Sequence, residues 1–179
     1  MNEDEESVRR VLAGERIAFE DLVRRHQGAI RAFARSILGA GGDADDVSQE
    51  AFLSAWVHLA SFDPVRGSFR AWLFTIARNL SKNRRRGDAR RQLARAPALR
   101  PELAADERAA HREVFERLDR ALDDLPEDQR VAFLLVEFQG FRLEEVSRME
   151  GVPVGTVKSR VARARARLKE VLDERRSHP

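Results

Sequence analysis

The chain has 179 residues, of which 35% are charged and 42% hydrophobic, a net charge of +3 and no cysteine. This length allows one medium domain or two small ones, and the lack of cysteine leaves no disulfide, thiolate zinc site or thiol redox switch. The acidic start at residues 1–6 lacks the apolar core of a signal peptide, and no apolar run approaches the roughly 20 residues of a membrane span. We therefore expect a cytoplasmic protein without membrane insertion.

The first half of the chain shows apolar residues at helical spacing in three successive stretches. The glycine run at 39–42 ends the first stretch, acidic residues open the second at 43–46, and a turn at 62–67 precedes the third. The predicted apolar faces are Phe19, Leu22, Val23, Ile30, Phe33, Ala34 and Ile37; Val47, Phe52, Leu53, Trp56 and Leu59; and Phe69, Trp72, Leu73, Ile76 and Leu80. We assign residues 1–14 to an acidic N-terminal segment and residues 15–87 to a first helical domain.

Residues 88–112 are predicted to form a flexible linker. They lack a sustained apolar face and contain Pro97 and Pro101 among alanine and arginine.

Residues 113–175 return to helical periodicity and form the second predicted domain. Pro126 can begin a helix there, with acidic residues in its first turn. We expect the core-facing residues of that helix to be Val131, Leu134, Leu135 and Phe138. A short helix, a turn at 151–153 and a long final helix follow, which is the order of a helix-turn-helix. No stretch alternates as a strand would, so the predicted fold is all-α, with two small helical domains joined by a linker.

The final helix is predicted to be amphipathic with a basic outer face. At about 100° per residue, Val157, Val161, Ala164 and Leu168 fall on one side and face the core. A recognition helix needs such an apolar back, small polar and arginine groups near its N-terminal end for base edges, and cations alongside for phosphates. The alternative interpretation is a surface helix with solvated arginines. The predicted DNA contacts are Thr156, Lys158, Ser159, Arg160, Arg163 and Arg167.

Charge is distributed unevenly along the chain. Residues 78–95 contain eight basic residues and one acidic residue, and residues 158–169 contain six basic residues and no acidic one. Residues 39–65 contain five acidic residues and no lysine or arginine. Two separated basic zones favour one polyanion bound at two places, although a solvated cationic surface would give the same composition.

The second half contains a series of residues that together form a family pattern: Leu125-Pro126, Arg130, Phe133, Gly140-Phe141, Glu144-Glu145-Val146, Gly151-Val152-Pro153-Val154, the core Gly155-Thr156-Val157-Lys158-Ser159-Arg160, Arg163-Ala164 and Leu168. With these residues it closely resembles domain four of the extracytoplasmic-function sigma factors, a group of bacterial transcription initiation factors. One departure is Ser147, where the family usually carries alanine.

The first half resembles domain two of the same family. Residues 46–53 with Trp56 are similar to the helix that docks on the polymerase clamp, and residues 69–79 with 83–86 are similar to the segment that opens and reads the downstream promoter element. The resemblance implies polymerase contacts from Asp46, Gln49, Glu50 and Leu53. It implies contacts to the downstream (−10) element from Phe69, Trp72, Arg78, Asn79, Lys82, Asn83, Arg84, Arg85 and Arg86. The final helix would then read the upstream (−35) element.

The resemblance also implies a set of partners and an absence of chemistry. We expect core RNA polymerase, promoter DNA and an anti-sigma factor as partners. We expect no enzymatic activity, catalytic residue, metal or cofactor.

Several residues allow a second interpretation. Asp43, Asp46 and Glu50 share a helical face, which could bind a divalent metal, be solvated, or dock a protein partner as the resemblance favours. His26 falls between Leu22 and Ile30 on an apolar helical face, so we interpret it as a histidine at the edge of the core. Phe69, Trp72 and Phe74 are most simply core residues, although aromatics beside cations also stack on unpaired bases, and Asn79 could be an ordinary surface residue.

Two other function classes remain as hypotheses. A stand-alone helix-turn-helix regulator would need a ligand-binding or dimerisation domain, which residues 15–90 do not resemble. A nuclease with an acidic site is the more distant hypothesis.

Overall fold

The computed structural model describes residues 2–39, 43–93, 118 and 120–173, with side chains described up to residue 87 in the first half and up to residue 170 in the second. Every regular element within these ranges is helical, which confirms the predicted all-α fold. The helices are α1 (Glu3–Leu12), α2 (Phe19–Leu38), α3 (Ala44–Val57), α4 (Phe69–Leu93), α5 (Glu127–Phe133), α6 (Leu143–Glu150) and α7 (Val154–Asp173). Short 3-10 turns precede α2 at Arg16–Ala18 and follow α3 at Leu59–Ser61. None of the helices described is both long and apolar enough to cross a membrane.

Helices α2, α3 and α4 pack against one another, and with α1 they form what we call the N-terminal head. Apolar residues three or four positions apart place their side chains on one face of each helix, and those faces meet in the core. The fully buried side chains there include Leu22, Ile30, Phe33 and Ile37 of α2, Val47, Ala51 and Ala55 of α3, and Phe69, Leu73, Phe74 and Ala77 of α4. Each large apolar side chain contributes about 1.5–3 kcal/mol when it is withdrawn from water.

Helix α1 belongs to this head, so the structured unit begins well before the predicted boundary at residue 15. Asn2 caps the helix through a capping box with Glu5. The carboxylate of Asp4 is nearly buried, accepts a hydrogen bond from Nε2 of His26 at 2.8 Å and pairs with Arg25. The interpretation of His26 as a residue at the edge of the core is therefore confirmed, since its ring is 9% exposed and packs against Phe69.

Helix α4 is longer than the sequence suggested. It continues through Gly87 to Leu93, so the linker does not begin at residue 88 as predicted. A single glycine costs a helix only about 1 kcal/mol, and residues 88–93 are mostly strong helix formers. The rest of the predicted linker lies outside the described residues.

The C-terminal head comprises residues 120–173, and one of its predicted core residues is exposed. Val131, Leu134 and Leu135 are buried, but Phe138 is 57% exposed, so its assignment to the core is wrong. The cause is a π-helical turn at Leu134–Phe138 that continues α5, in which the N–H of Gln139 donates to the carbonyl of Leu134. The wider π turn rotates the chain less per residue than an α-helix does, which carries Phe138 off the core face.

The two heads pack against each other through aromatic rings and a buried arginine. The rings of Phe74 and Phe141 meet edge to face with centroids 5.2 Å apart, and the guanidinium of Arg70 lies 4.1 Å from the centroid of Phe141. The guanidinium of Arg130, in the C-terminal head, donates to the carbonyl of Ile37 at the end of α2 (3.2 Å) and to the carboxylate of Asp123 (2.9 Å). The described core is therefore continuous from one head to the other.

The Asp4 carboxylate is expected to stabilise the packing of α1 against α2 in a pH-dependent way. Burial raises the pKa of Asp4, but hydrogen bonds and charge from His26 and Arg25 outweigh burial and hold its pKa below the ordinary value. The folded protein thus favours the carboxylate, so Asp4 stabilises at neutral pH and its contribution is lost as the pH falls through the carboxyl range. We expect Asp4→Asn to lower the free energy of unfolding by about 1–3 kcal/mol at pH 7.

This difference should begin to shrink below about pH 4, where Asp4 of the unfolded chain becomes protonated, and should be lost only as the pH falls through the lowered pKa of Asp4 in the folded protein. Urea unfolding followed by circular dichroism at several pH values measures it. Asp124→Asn is the control, since Asp124 is exposed. An Asp4→Asn deficit that stays the same from pH 7 to pH 3 would contradict the assignment.

Candidate nucleic-acid interface

Helices α6 and α7 form the helix-turn-helix that the sequence predicts. Gly151 ends α6 in the left-handed conformation (φ 65°), which allows the sharp turn before Pro153 and α7. Ser147 fastens this turn, because its hydroxyl donates to the carbonyl of Val152 at 2.6 Å while the N–H of Val152 donates to the carbonyl of Ser147. The orientation of α7 is thereby tied to α6.

The predicted division of α7 into two faces is confirmed. Val157, Val161, Ala164 and Leu168 are at most 5% exposed. The predicted DNA contacts Lys158, Arg163 and Arg167 are exposed, whereas Thr156 and Ser159 are half-buried. The sixth predicted contact, Arg160, is only 19% exposed in its side chain, and its guanidinium pairs with Asp128 at 2.8 Å and with Glu150 at 3.5 Å.

The basic face of α4 lies against the C-terminal head. Arg78 pairs with Glu150 and also donates to the carbonyl of Met149 at 2.5 Å, at the negative end of the α6 dipole. Lys82 pairs with Glu127 at 3.0 Å and with Asp128 at 3.1 Å, and Arg86 pairs with Glu127 at 3.2 Å. Burial lowers the pKa of Lys82, but its hydrogen bonds to both carboxylates outweigh burial and raise that pKa above the ordinary value.

The remaining polar residues predicted to contact the downstream element differ in their exposure and in their hydrogen-bond or ion-pair partners. Arg85 donates to the carbonyl of Ile37 at 2.7 Å and so takes part in the contact between the heads. Arg84 lies near Glu50 (3.5 Å) and Asp46 (3.9 Å). Asn79 and Asn83 are exposed, and the amide oxygen of Asn79 accepts hydrogen bonds from Arg78.

The two aromatic residues predicted to contact DNA differ in burial. Phe69 is fully buried, so in this conformation it supports the site from within the core and cannot stack on a base. Trp72 is half-buried and packs on Phe69 and Phe62, with ring centroids 5.8 Å and 5.6 Å away. Of these two predicted contacts, Trp72 is therefore the one that a base can reach.

A second surface lies on α2 and α3, away from the basic face. Leu53 and Trp56 were expected on a buried stripe, but they are 66% and 37% exposed. They line a shallow groove of about 500 Å³ together with Phe19, Val23, Gln27, Ser48, Gln49 and Phe52. Exposed apolar residues in a continuous groove are typical of a binding surface rather than of a solvated helix.

The acidic residues beside this groove have partners that the sequence did not reveal. Residues 39–65 contain no lysine or arginine, yet Arg84 reaches Glu50 and Asp46 from α4, and Arg31 reaches Asp45 from α2 at 3.3 Å. The side chains of Asp46 and Glu50 remain 58% and 53% exposed. The Asp43 carboxylate accepts from the N–H of Asp46 and so caps α3.

The residues that sequence reasoning missed are the carboxylates facing α4. Glu127, Asp128 and Glu150 form ion pairs with Arg78, Lys82 and Arg86 across the two heads. The sequence signals only that Glu127 and Asp128 suit a helix start, because contacts between distant segments leave no trace in local periodicity.

Two family models match the chain. The model for sigma-70 region 2 matches residues 22–91, and the model for sigma-70 region 4 matches residues 115–168.

Relatives and solved structures agree with these matches. The chain is 42% identical over 146 residues to the ECF RNA polymerase sigma factor EcfG of Rhodopseudomonas palustris, covering 80% of this chain and 79% of that protein. It is 40% identical over 162 residues to the ECF RNA polymerase sigma factor SigM of Mycobacterium tuberculosis, covering 90% and 80%. Among solved structures, CnrH in complex with the cytosolic domain of CnrY matches with a TM-score of 0.76 and 32% identity, over 97% of this chain and 99% of that one. The sigma factor RpoE of Bartonella quintana, in complex with the anti-sigma factor NepR, matches with a TM-score of 0.70 and 32% identity, over 87% and 96%.

We expect Ser147→Ala to lower the free energy of unfolding by about 0.5–1.5 kcal/mol, because one hydrogen bond that closes the turn is lost. Urea unfolding measures this, and Ser36→Ala is the matched control. The hydroxyl of Ser36 bonds only within its own helix, to the carbonyl of Ala32, and alanine is the better helix former. Equal stability changes in the two variants would show that the Ser147 hydroxyl does not stabilise the turn.

Proposed function

Because the chain belongs to the extracytoplasmic-function group of the sigma-70 family, we propose that it binds core RNA polymerase through α2 and α3 and promoter DNA through α4 and α7. It is an alternative sigma factor that directs transcription initiation. Our proposal concerns which of its residues do so.

The arrangement of α7 is the observation that carries the proposal. Its apolar side is buried against α5 and α6, and Lys158, Arg163 and Arg167 project from the exposed side. An α-helix fits the major groove, and arginine can make two hydrogen bonds to a guanine there. We assign the reading of the upstream promoter element to this face.

Helix α4 supports the second DNA contact. Asn79 and Asn83 lie exposed on the same helix as a series of cations, and the half-buried Trp72 lies one turn before Ile76. Amide groups can hydrogen-bond an unpaired base, an aromatic ring can stack on it, and cations follow the phosphates. These groups suit the separated strand of the downstream element, with Phe69 fixing Trp72 from the core.

The groove on α2 and α3 supports the polymerase contact. Leu53 and Trp56 offer apolar area in it and Gln49 adds a polar group. The carboxylates of Asp46 and Glu50 lie on the same helix and are more than half exposed. Interfaces with this pattern, an aromatic anchor surrounded by polar residues, are typical of protein–protein contacts. A helical polymerase element with apolar and basic side chains would fit it.

The proposal extends to regulation and location. CnrH was solved with the cytosolic domain of CnrY and RpoE with the anti-sigma factor NepR, and we propose an anti-sigma partner for this chain also. We further propose that the chain acts in the cytoplasm, where polymerase and template are, and contributes no chemical step of its own. The alternative of a stand-alone regulator is disfavoured because residues 22–91 match a sigma domain rather than a ligand-binding or dimerisation domain.

Charge reversal beside the groove tests the polymerase contact. We expect Glu50→Lys to reduce capture of core RNA polymerase in a pull-down while leaving helix content unchanged, because Glu50 is exposed and the new charge opposes a basic partner. Glu144→Lys, an exposed acidic residue of the C-terminal head, is the control. If the wild-type chain fails to capture polymerase, the proposed function is wrong. If Glu50→Lys captures polymerase as well as the wild type does, only the assignment of this surface is wrong.

The outer face of α7 is tested by comparing two exposed cations. Loss of a bidentate arginine–guanine contact costs about 1–3 kcal/mol and relaxes preference at that base, whereas loss of a phosphate contact weakens all sequences alike. We expect Arg163→Ala to impair use of the upstream element selectively and Lys169→Ala to have a small effect that is independent of sequence. Transcription by reconstituted polymerase on templates changed one base at a time measures both. If Arg163→Ala lowers output equally on every template, Arg163 contacts the backbone.

A further inference from the structure

Four cations assigned to promoter DNA are paired with carboxylates of the same chain. Arg78, Lys82 and Arg86 belong to α4, and Arg160 belongs to α7. Their partners are Glu127 and Asp128 in the first turn of α5 and Glu150 at the end of α6.

Two of these carboxylates bridge the two DNA-reading helices. Asp128 binds Lys82 of α4 through one oxygen, at 3.1 Å, and Arg160 of α7 through the other, at 2.8 Å. Glu150 likewise binds Arg78 of α4 and, at 3.5 Å, Arg160 of α7. The same carboxylates therefore neutralise cations on both DNA-reading helices at once.

Most members of the cluster are shielded from water, which makes their ion pairs stronger than ordinary surface pairs, whereas the side chains of Asp128 and Arg86 are 48% and 61% exposed. The side chain of Glu150 is 3% exposed, and those of Arg78, Lys82 and Arg160 are 14%, 15% and 19% exposed. Phosphate oxygens would have to approach the guanidinium and ammonium groups from the side that the carboxylates now occupy. A DNA backbone and the C-terminal head thus compete for the same donors.

We infer that the free chain masks the basic face of α4, with Glu127, Asp128 and Glu150 of the C-terminal head occupying its cations in place of DNA phosphates. This inference rests on the proposed function, which assigns those cations to promoter DNA. DNA contact with this face then requires the two heads to separate, whereas the outer face of α7 is already exposed.

The first test removes two masking carboxylates without changing side-chain shape. The unmasked variant carries Asp128→Asn and Glu150→Gln, and the control carries Glu137→Gln and Glu144→Gln, which remove the same charge from the same head. Glu137 pairs with Arg165 of its own head at 2.5 Å, and Glu144 is exposed. A short fluorescein-labelled duplex of arbitrary sequence is titrated with each full-length protein at several salt concentrations, and anisotropy is read.

We expect the unmasked variant to bind about tenfold more tightly than the control at low salt, because DNA no longer has to displace the two carboxylates. Each phosphate contact adds about 0.9 to the slope of log K against log salt. Salt also weakens the masking pairs in the wild type and the control, so their slopes should be shallower by about 2 to 4 than that of the unmasked variant. Equal affinities and equal slopes for the two double variants would overturn the inference.

The second test follows the separation of the heads directly and needs no change to the masking pairs. Because the chain has no cysteine, dyes can be attached to Ala32→Cys and Ala162→Cys, at exposed positions on α2 and α7. We expect energy transfer to fall when the duplex saturates the otherwise wild-type protein, and to fall at a lower duplex concentration in the unmasked variant. Transfer that stays unchanged at saturation would show that DNA binds the closed chain, which overturns the inference.

Failure of the masking inference can be told apart from failure of the proposed function. Run-off transcription with core polymerase reports whether the chain acts as a sigma factor, and it does not depend on whether the free chain is masked. Circular dichroism of both double variants verifies that the heads remain folded.

Discussion

The position of Arg130 constrains the relation between the two heads. Its guanidinium has almost no contact with solvent and would be very costly to bury without partners. Those partners come from both heads: Asp123 and the Leu125 carbonyl from its own, and the Ile37 carbonyl from the end of α2. Arg85 of α4 donates to the same Ile37 carbonyl. The two heads are therefore joined by hydrogen bonds to one charged group, and the ion pairs along α4 form around this fixed point.

The groove on α2 and α3, which we propose binds polymerase, is open, whereas the basic face of α4 is covered. The groove is built from α2 and α3 residues, and Leu53 stays largely exposed with the heads packed together. The basic face of α4 is covered by α5 and α6 at the same time. Under the proposed function, polymerase would dock on the closed chain before DNA does. Contacts with polymerase that favour separated heads would shift the population toward the DNA-binding form by their differential affinity for it.

Local periodicity predicted the helices well, because burial on one face is a property of neighbouring residues. Leu22, Ile30, Phe33 and Ile37 on α2 and the apolar back of α7 were all identified correctly. The failures have tertiary causes. Phe138 lies outside the core because of a π turn. Leu53 is exposed in a groove that α2 completes, and α4 continues beyond Gly87. The masking carboxylates could not be found at all, since Glu150 and Arg78 are brought together only by the docking of two heads.

The π turn at Leu134–Phe138 has a consequence for chain length. A π turn holds one residue more than an α-helix needs to span the same rise. A relative that lacks one residue here could close the helix into regular α geometry, which would rotate everything downstream, α6 and α7 included, about the α5 axis. A relative with an added residue has no such option and would need a loop. In alignments of length variants, a single-residue gap should therefore fall within 134–138, and it should coincide with a changed orientation of the helix-turn-helix.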